Sequence, residues 1–199
     1  MNPAFDPDPA KSPAVVGGNV EVSQRLTDTI LKAFGVAGCS QGTMNNLLFG
    51  NEKFGFYETI CGGVGAGEGF HGASAVHQHM TNTRITDPEV MEFRYPVLID
   101  QFSIRKDSGG KGRWNGGDGV VREIRFLEAV KVTIFSQHRN EKPYGMKGGQ
   151  PGMPGEQYHI TKRGQFPLDG ISSRQVRAGD KILIKTPGGG GYGNIGEHL

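Results

Sequence analysis

The chain has 199 residues, and its 22 basic and 20 acidic side chains leave a net charge of only +2. This balance is not typical of proteins that bind nucleic acid or anionic membranes, and no apolar run approaches the ~20 residues that a membrane helix needs. The 33 glycines follow no collagen period and separate apolar runs, so they predict many tight turns. The length allows one domain with a real core or two small ones.

Residues 1–13 are rich in proline and aspartate and predict an extended arm. An amphipathic helix is predicted at 20–34, with Gly35 ending it. Its apolar residues recur at spacings of four, and Leu31 widens their stripe: Val22, Leu26, Ile30 and Phe34. Such a stripe is most often a core face, so we expect a scaffold helix that covers a sheet.

Two short runs between Gly42 and Gly67 are punctuated by glycine, and the second predicts a strand with aromatic residues on one side. Glu58 falls on that aromatic side, so we expect it at a strand end or buried with a partner. Asn45 either holds a turn or contacts a ligand. The segment GGVGAGEG at 62–69 lacks the lysine and the spacing of a nucleotide-binding loop, which argues against a phosphate site.

The segment 71–96, HGASAVHQHMTNTRITDPEVMEFRYP, combines three histidines with many other polar residues and little apolar content. His77 and His79 would lie on one side of an extended strand and could offer two imidazoles to one divalent metal. His71 would add a third nitrogen, and a carboxylate would come from Asp87, Glu89 or Glu92. The alternative is that these histidines hydrogen-bond loop backbone, because His-x-His alone is a weak signal.

Within that segment, Thr81, Asn82 and Thr83 precede Arg84. Short hydrogen-bonding side chains beside a guanidinium suit a carboxylate or a lactam carbonyl. They could equally join a loop to the sheet through bonds to the backbone. The residues that follow predict a short helix with Thr86 or Asp87 as its N-cap.

The second half reads as strands. One is predicted after Pro96, and GDGVVREIRFLE and AVKVTIFSQHR predict two more in a hairpin or meander. EQYHITKRG and RAGDKILIKTP predict further strands, and their alternating basic residues indicate a half-solvated antiparallel sheet. We expect His138 and His159 to be structural. The glycine-rich TPGGGGYG at 186–193 either borders a site or caps the sheet.

These elements predict a β-rich α+β fold. An N-terminal helix and glycine-rich loops (1–96) precede a mainly antiparallel β-sheet sandwich or barrel-like half (97–199), the two forming one compact unit. Cys39 and Cys61 lack metal-site spacing, and no secretory signal stands at the N-terminus. The expectation is a cytoplasmic protein with two free thiols that serve as small core residues.

The string HQHMTNTRITDPEVMEFRYPV resembles the signature of the hydantoinase B/oxoprolinase family, in the version of the ATP-dependent oxoprolinases. Other blocks resemble the family in family order, so the resemblance runs from about Pro13 to Gly193: VVGGNVEVSQRLTD, SQGTMNNLLFG, FGFYETICGGVGAG, SGGKGRWNGGDGVVREI, KPYGMKGGQPG and TPGGGGYG. Family members of this type are much longer, and the chain resembles their C-terminal portion.

The resemblance implies ATP-dependent hydrolysis of a cyclic amide, such as 5-oxoproline or N-methylhydantoin. It implies that ATP and Mg²⁺ are bound by a hydantoinase A-like half, as a partner subunit or a fused region, and that the enzyme is a homo-oligomer. On this basis we expect catalytic or water-orienting roles for His77, His79 and Arg84, with Glu58 and Asp87 as candidate bases. Candidate substrate-binding residues are Thr81, Asn82, Thr83, His71 and Asn45.

Two alternatives stay open. Within the same superfamily, the chain could belong to an ATP-dependent carboxylase of a ketone such as acetone. Outside catalysis, it could be an assembly module that docks the other half and shapes the active site from outside. A piece of this length is expected to be inactive alone, because the groups that complete the centre would lie elsewhere in the longer protein.

Overall fold

The computed structural model describes residues 18–79 and 81–196; the arm predicted at 1–13 lies outside these ranges. A π-helical turn, Gly18–Ser23, leads directly into helix α1, Gln24–Ala33. The predicted end of this helix is confirmed, because Gly35 adopts a left-handed φ of 68° just after the C-cap residue Phe34. Helix α2, Pro88–Arg94, is the short helix expected in the central segment.

Nine strands lie within the described ranges. They are β1 Asn46–Gly50, β2 Gly55–Thr59, β3 Val97–Arg105, β4 Gly119–Phe126, β5 Val130–Phe135, β6 Glu156–Thr161, β7 Gly164–Pro167, β8 Ile171–Val176 and β9 Lys181–Lys185. Strands β7 and β8 were not anticipated from the sequence. All nine pair with antiparallel neighbours.

The strands form a four-stranded sheet in the order β2-β1-β5-β8 and a five-stranded sheet in the order β3-β4-β9-β6-β7. The predicted β-rich fold with an N-terminal helix and antiparallel sheets is therefore confirmed. The predicted hairpin between β4 and β5 is wrong. The chain crosses from one sheet to the other between these strands, so that β4 pairs with β3 and β9 while β5 pairs with β1 and β8.

Strands from both sequence regions share the four-stranded sheet. Residue Leu47 of β1 lies opposite Ile134 of β5, and on its other side opposite Glu58 of β2. The first region thus contributes two strands to a sheet that the second region completes. The segment 71–85 lies in the connection between β2 and α2, and its described residues join neither sheet.

The core lies between the two sheets. Ring centroids of Phe49 on β1 and Phe126 on β4 are 5.2 Å apart across this interface, in an edge-to-face arrangement. Other fully buried apolar residues of the cluster alternate along their strands or stand at strand ends: Leu47, Ile60, Val97, Val120, Ile124, Val130, Val132, Ile134, Val176, Ile182 and Ile184. Met91 joins the cluster from α2. This alternation is what places one face of each sheet against the other.

The glycine-rich segments pack against one another beside the sheets. Gly189 donates to the Gly117 carbonyl at 2.8 Å, and Gly190 donates to the Cys39 carbonyl at 2.7 Å. A Cβ on Gly190 would stand 1.9 Å from the Tyr144 carbonyl oxygen, so only glycine permits this approach. The segment TPGGGGYG is therefore buried and bonded to several loops.

The orientation of helix α1 differs from the one that the sequence predicts. Its apolar stripe faces outward, with 57% of Leu26 and 78% of Phe34 exposed, whereas Gln24 and Asp28 are buried. The prediction of an apolar face covering a sheet is wrong, because the polar face makes the contacts with the body of the protein. Sequence periodicity identifies the two faces of a helix but not which of them meets the fold.

Candidate functional site

An open groove of about 460 Å³ lies between the inner face of β3 and the segment that precedes α2. Its polar groups include His77 and Arg84, two of the predicted site residues. Apolar and small side chains form most of the remaining wall: Cys61, Ala75, Ile85, Phe102, Ser103, Ile104 and Val120. An apolar wall with a few convergent polar groups is the usual character of a small-molecule site.

β3 is the edge strand of its sheet, which explains why the groove is open. Phe102 pairs in register with Arg122 of β4, and Ile104 pairs with Val120. These side chains stand on the inner face, yet Phe102 and Ile104 remain about two-fifths exposed. The four-stranded sheet does not extend over this part of β3, and the segment containing His77 and Arg84 lies there instead.

His77 is held by the neighbouring strand. Its Nε2 lies 3.0 Å from the carbonyl oxygen of Thr59, at the end of β2. A carbonyl oxygen only accepts, so Nε2 carries the proton and donates. In the neutral ring this leaves Nδ1 as an acceptor, which is the tautomer that can bind a proton or orient water.

Arg84 is exposed, and its guanidinium has no hydrogen-bond or ion-pair partner within residues 18–79 and 81–196. The planar guanidinium can bind a carboxylate through two parallel hydrogen bonds. Apolar neighbours such as Ile85 reduce access of water to one side of the groove. Arg84 is therefore the group best suited to an anionic ligand there.

The side chain of His79 contacts a different part of the fold from that of His77. It adopts a left-handed φ of 54°, and its Nε2 lies 3.0 Å from Oδ1 of Asp28 on α1. The expected extended strand with both imidazoles on one side is thus wrong at this point. Within the described ranges no three His, Cys, Asp or Glu side chains are placed to hold a metal ion together, and the metal site stays a prediction.

Glu58 forms a buried ion pair behind the groove wall. Its Oε1 lies 2.8 Å from Nε of Arg122, whose side chain is completely buried. Burial raises the pKa of the Glu58 carboxyl, and the Arg122 charge works in the opposite direction. The ring of Phe102 covers the guanidinium at 5.0 Å, and Thr86 donates its N–H to Glu58. The expectation that Glu58 is buried with a partner is confirmed, but its carboxylate does not face the groove.

Asp87 is the N-cap of α2. Its Oδ1 accepts from the N–H groups of Glu89 at 2.9 Å and Val90 at 3.3 Å. This is the capping role that the sequence predicted, and it leaves the helix start satisfied. These two contacts engage Oδ1 of a carboxylate that the sequence also predicts as a candidate base.

The Thr81–Thr83 run mostly joins the loop to the fold. Thr81 accepts from Gln24 of α1 at 3.0 Å, and the hydroxyls of Thr83 and Thr59 are 2.6 Å apart. Asn82 is exposed, next to these anchored residues. These contacts correspond to the interpretation in which the run joins the loop to the fold. Arg84, the next residue, lines the groove.

His71 and Asn45 stand outside the groove. His71 accepts at Nδ1 from the backbone N–H of Asn115 at 2.8 Å and lies on another loop. Asn45 is buried, has a left-handed φ of 45°, and exchanges hydrogen bonds with Gln41 and Arg139. These contacts and the left-handed φ correspond to the alternative in which Asn45 holds a turn, and its contact with a substrate stays a prediction.

A second polar cluster lies under α1 and was not anticipated. Asp28 accepts from the Cys39 thiol at 3.4 Å and from the backbone N–H of Ser40 at 3.1 Å, besides contacting His79. His138 lies 3.6 Å from Cys39. Burial raises the pKa of the Cys39 thiol above its ordinary value, so it stays protonated and acts as a donor.

Arg122 is the residue that sequence reasoning missed. The alternating basic residues of the second half predict a solvated face of the sheet. Arg125, on the outer side of β4, lies on such a face. Arg122 falls on the inner register with Val120 and Ile124, where a cation needs a buried partner. Its in-register place among apolar residues, together with the expected buried Glu58, was the signal that could have identified it.

Comparison with known proteins places the chain in a family. The model of the hydantoinase B/oxoprolinase family matches residues 7–195. The chain is 54% identical to 5-oxoprolinase 1 of Arabidopsis thaliana over 187 residues, which cover 94% of the chain and 15% of that protein. The chain therefore belongs to the hydantoinase B/oxoprolinase family, as its sequence blocks predicted.

Two solved structures share the fold. The ATP-dependent caprolactamase of Pseudomonas jessenii superimposes with a TM-score of 0.71 at 24% identity, over 80% of the chain and 30% of the caprolactamase chain. A nucleotide-free acetone carboxylase superimposes with a TM-score of 0.57 at 16% identity, over 78% of the chain and 26% of the carboxylase chain. Within the described ranges no helix has the length and apolar character to cross a membrane.

Proposed function

We propose that the chain forms part of an ATP-dependent cyclic amide hydrolase and that the open groove is one wall of its substrate site. The observation that carries this proposal is the Arg84 guanidinium, which has no partner among the described residues and lies beside His77 on an apolar wall, in a chain whose relatives include a 5-oxoprolinase. A cyclic amide such as 5-oxoproline has a small apolar ring, an amide edge and a carboxylate. These three features match the apolar wall, His77 and Arg84.

In this proposal Arg84 binds the substrate carboxylate or a developing oxyanion through charge-assisted hydrogen bonds. His77, held by Thr59, offers Nδ1 to orient a water molecule or to accept its proton. Phe102 and Ile104 contact the ring carbons and limit access of bulk water. Glu58 and Arg122 keep this wall in place from behind as positioning residues.

ATP activates the amide oxygen by phosphorylation in this class of reaction. The glycine-rich segment 62–69 offers no phosphate cradle, because a Cβ on Gly63 would stand 2.0 Å from the Gly117 carbonyl oxygen and one on Gly65 would stand 1.9 Å from that of Gly38. We therefore assign ATP and Mg²⁺ to a hydantoinase A-like half, as a partner subunit or fused region. The chain spans about 15% of the Arabidopsis relative, which leaves room for such a half.

The ketone carboxylase alternative has less support, because the acetone carboxylase likeness is at 16% identity, whereas the 5-oxoprolinase likeness is at 54%. No contact within the groove favours a ketone over a lactam. The assembly-module alternative is decided by the experiment below.

The test uses 5-oxoprolinase 1 of Arabidopsis thaliana with its matching region replaced by this chain. Arg84→Ala should raise KM for 5-oxoproline by about 10- to 100-fold, because a hydrogen bond to a charged group contributes roughly 1.5–3 kcal/mol. The carboxylate-free lactam 2-pyrrolidinone, used as a competitive inhibitor, should keep its Ki. Arg174→Ala, an exposed arginine on β8, is the matched control and should leave KM unchanged.

An unchanged KM for 5-oxoproline in the Arg84→Ala enzyme would refute the role of the groove. Loss of assembly without any change in the KM of the assembled enzyme would support the module alternative instead. His77→Gln should lower kcat while the assembled enzyme keeps its size, because the glutamine amide can still donate to the Thr59 carbonyl but has no acceptor in the place of Nδ1. A His77→Gln enzyme with normal kcat would remove His77 from the chemistry.

A further inference from the structure

Helix α1 presents an uncovered apolar surface. We call the row Val22, Leu26, Ile30 and Phe34 the α1 stripe; all four residues are exposed. Val36, two residues beyond Phe34, and Phe70 are each nearly half exposed, and the Val36 carbonyl and the Phe70 ring both approach Gly67. A contiguous apolar row of this kind on a folded chain marks a surface that contacts another molecule or segment.

The helix cannot turn the α1 stripe inward, because directed hydrogen bonds hold the opposite face. Gln24 donates to the Gln78 carbonyl at 3.1 Å and to Thr81 at 3.0 Å. One turn later, Asp28 accepts from Ser40 and His79. Rotation about the helix axis would leave these buried polar groups without partners, at a cost of about 1–3 kcal/mol for each group.

Helix α1 is linked to the groove segment through its buried face, opposite the α1 stripe. Gln24 donates to Thr81, and three residues later Arg84 lines the groove. The stripe and the groove are both open within the described ranges.

We propose that the α1 stripe is the docking surface for the part of the hydantoinase B/oxoprolinase polypeptide that lies outside the region matched by this chain. The chain spans only about 15% of the Arabidopsis relative, so most of such a protein is available to cover the stripe. A second copy of the chain is the alternative occupant, and the labelling test below distinguishes it by its dependence on protein concentration. This interface does not depend on which reaction the groove supports.

The first test measures access to the stripe by thiol labelling. Leu26→Cys is made in the 199-residue chain and in the Arabidopsis 5-oxoprolinase 1 whose matching region is replaced by this chain. Maleimide labelling at residue 26, followed by peptide mass spectrometry, should be fast in the chain alone and at least about tenfold slower in the long protein, because buried thiols are inert. Ile171→Cys on β8, a position that is 69% exposed, is the matched control and should react fast in both. The buried Cys39 and Cys61 report that each protein is folded, since they should resist labelling.

Equal labelling of residue 26 in the two proteins would overturn the proposal. Slow labelling in the chain alone would also overturn it: dependence on protein concentration would assign the stripe to a second copy, and independence would assign it to residues 1–17 of the same chain. A failure of catalysis in the long protein would not affect this result, because labelling reports contact alone.

A second measurement does not require the joined protein to fold. The 199-residue chain is mixed with separately expressed Arabidopsis 5-oxoprolinase 1 that lacks the matching region, and the mixture is run on size-exclusion chromatography. Co-migration is expected for the unaltered chain and for Ile171→Glu, and should be lost for the Leu26→Glu/Ile30→Glu double variant. Absence of co-migration for the unaltered chain, or its persistence in the double variant, would count against the proposal.

Discussion

Between the two sheets the contacts are apolar, and beneath α1 they are polar. Ile124 and Ile134 pack in a core of aliphatic and aromatic side chains. Under the helix, Glu21, Gln24 and Asp28 are buried and hydrogen-bonded to loops. The sheets are thus held together by burial of apolar surface, a stabilisation that does not depend on the orientation of the side chains. The helix is held by hydrogen bonds, which require one orientation of donor and acceptor.

The comparison explains how an amphipathic helix can leave its apolar face outside. The glycine-rich loops expose many backbone groups, and the side chains of α1 satisfy several of them. The Gln24 amide, for example, donates to a loop carbonyl, while the Asp28 carboxylate accepts the Ser40 N–H. We call these contacts of Glu21, Gln24 and Asp28 with the loops the polar seat of the helix. Because the polar seat holds the helix in place, its apolar face is free for another contact.

The largest expected effect concerns Arg122, a cation buried among the apolar residues between the sheets. Arg122→Met should lower the free energy of unfolding by about 3–5 kcal/mol, because it leaves the buried Glu58 carboxylate without its charged partner. Urea unfolding followed by circular dichroism measures the loss. Arg125→Met on the outer face of β4, where the arginine pairs with Asp100, is the control and should cost less than about 1 kcal/mol.

The double variant Glu58→Gln/Arg122→Met sharpens this result. Removing both charges should recover most of the loss, because no uncompensated charge stays buried. If Arg122→Met were as stable as the unaltered chain, the ion pair would have no part in holding the sheets together. The core would then behave as purely apolar.

The polar seat should make stability depend on pH. Burial raises the pKa of Glu21 to about 7 from an ordinary 4.5, since the hydrogen bonds from Thr43 and Asn46 only partly offset the loss of solvent. Between these values the folded state holds a proton that the unfolded state has released. The stabilising contribution is therefore complete below pH 4.5 and is lost as the pH rises through 7.

Glu21→Gln should remove this dependence and raise the free energy of unfolding at pH 8 by on the order of 2 kcal/mol. Thermal unfolding between pH 5 and 8 measures the slope for both proteins. Glu128→Gln, at a surface ion pair with Lys53, is the control and should leave the slope unchanged. An identical slope in Glu21→Gln would show that this carboxyl titrates normally.

A smaller effect is expected from one hydrogen-bonding side chain of the seat. Gln24→Ala should destabilise the chain by about 1–2 kcal/mol, because the Gln78 carbonyl and the Thr81 hydroxyl lose their donor. Hydrogen exchange should show the loss first in the amides of α1. If exchange quickened equally throughout the sheets, the seat and the core would form a single cooperative unit.

The smallest effect is expected on the opposite face of the same helix. Leu26→Ser should change the free energy of unfolding of the chain alone by no more than about 0.5 kcal/mol, because the leucine is already exposed. Chemical denaturation of the two variants gives the comparison directly. A loss from Leu26→Ser greater than that from Gln24→Ala would contradict the assignment of the polar face as the attached one.

The sequence by itself determined the local elements and the family. Apolar alternation located β3 and β9, Asp87 and Pro88 marked the start of α2, and Gly35 marked the end of α1. These features depend on residues close in the chain, where the side-chain period and the capping chemistry act directly. The polar signature likewise predicted His77 and Arg84 as site residues, and both line the groove.

Only the tertiary structure decided which of those groups meet. It placed β4 and β5 in different sheets, directed His79 to Asp28 instead of to the groove, and paired Arg122 with Glu58. Partners of this kind are distant in sequence, and a sequence period carries no information about the surface that a face will contact. The same reason applies to α1, whose apolar period was evident while its outward direction depended on the loops beneath it.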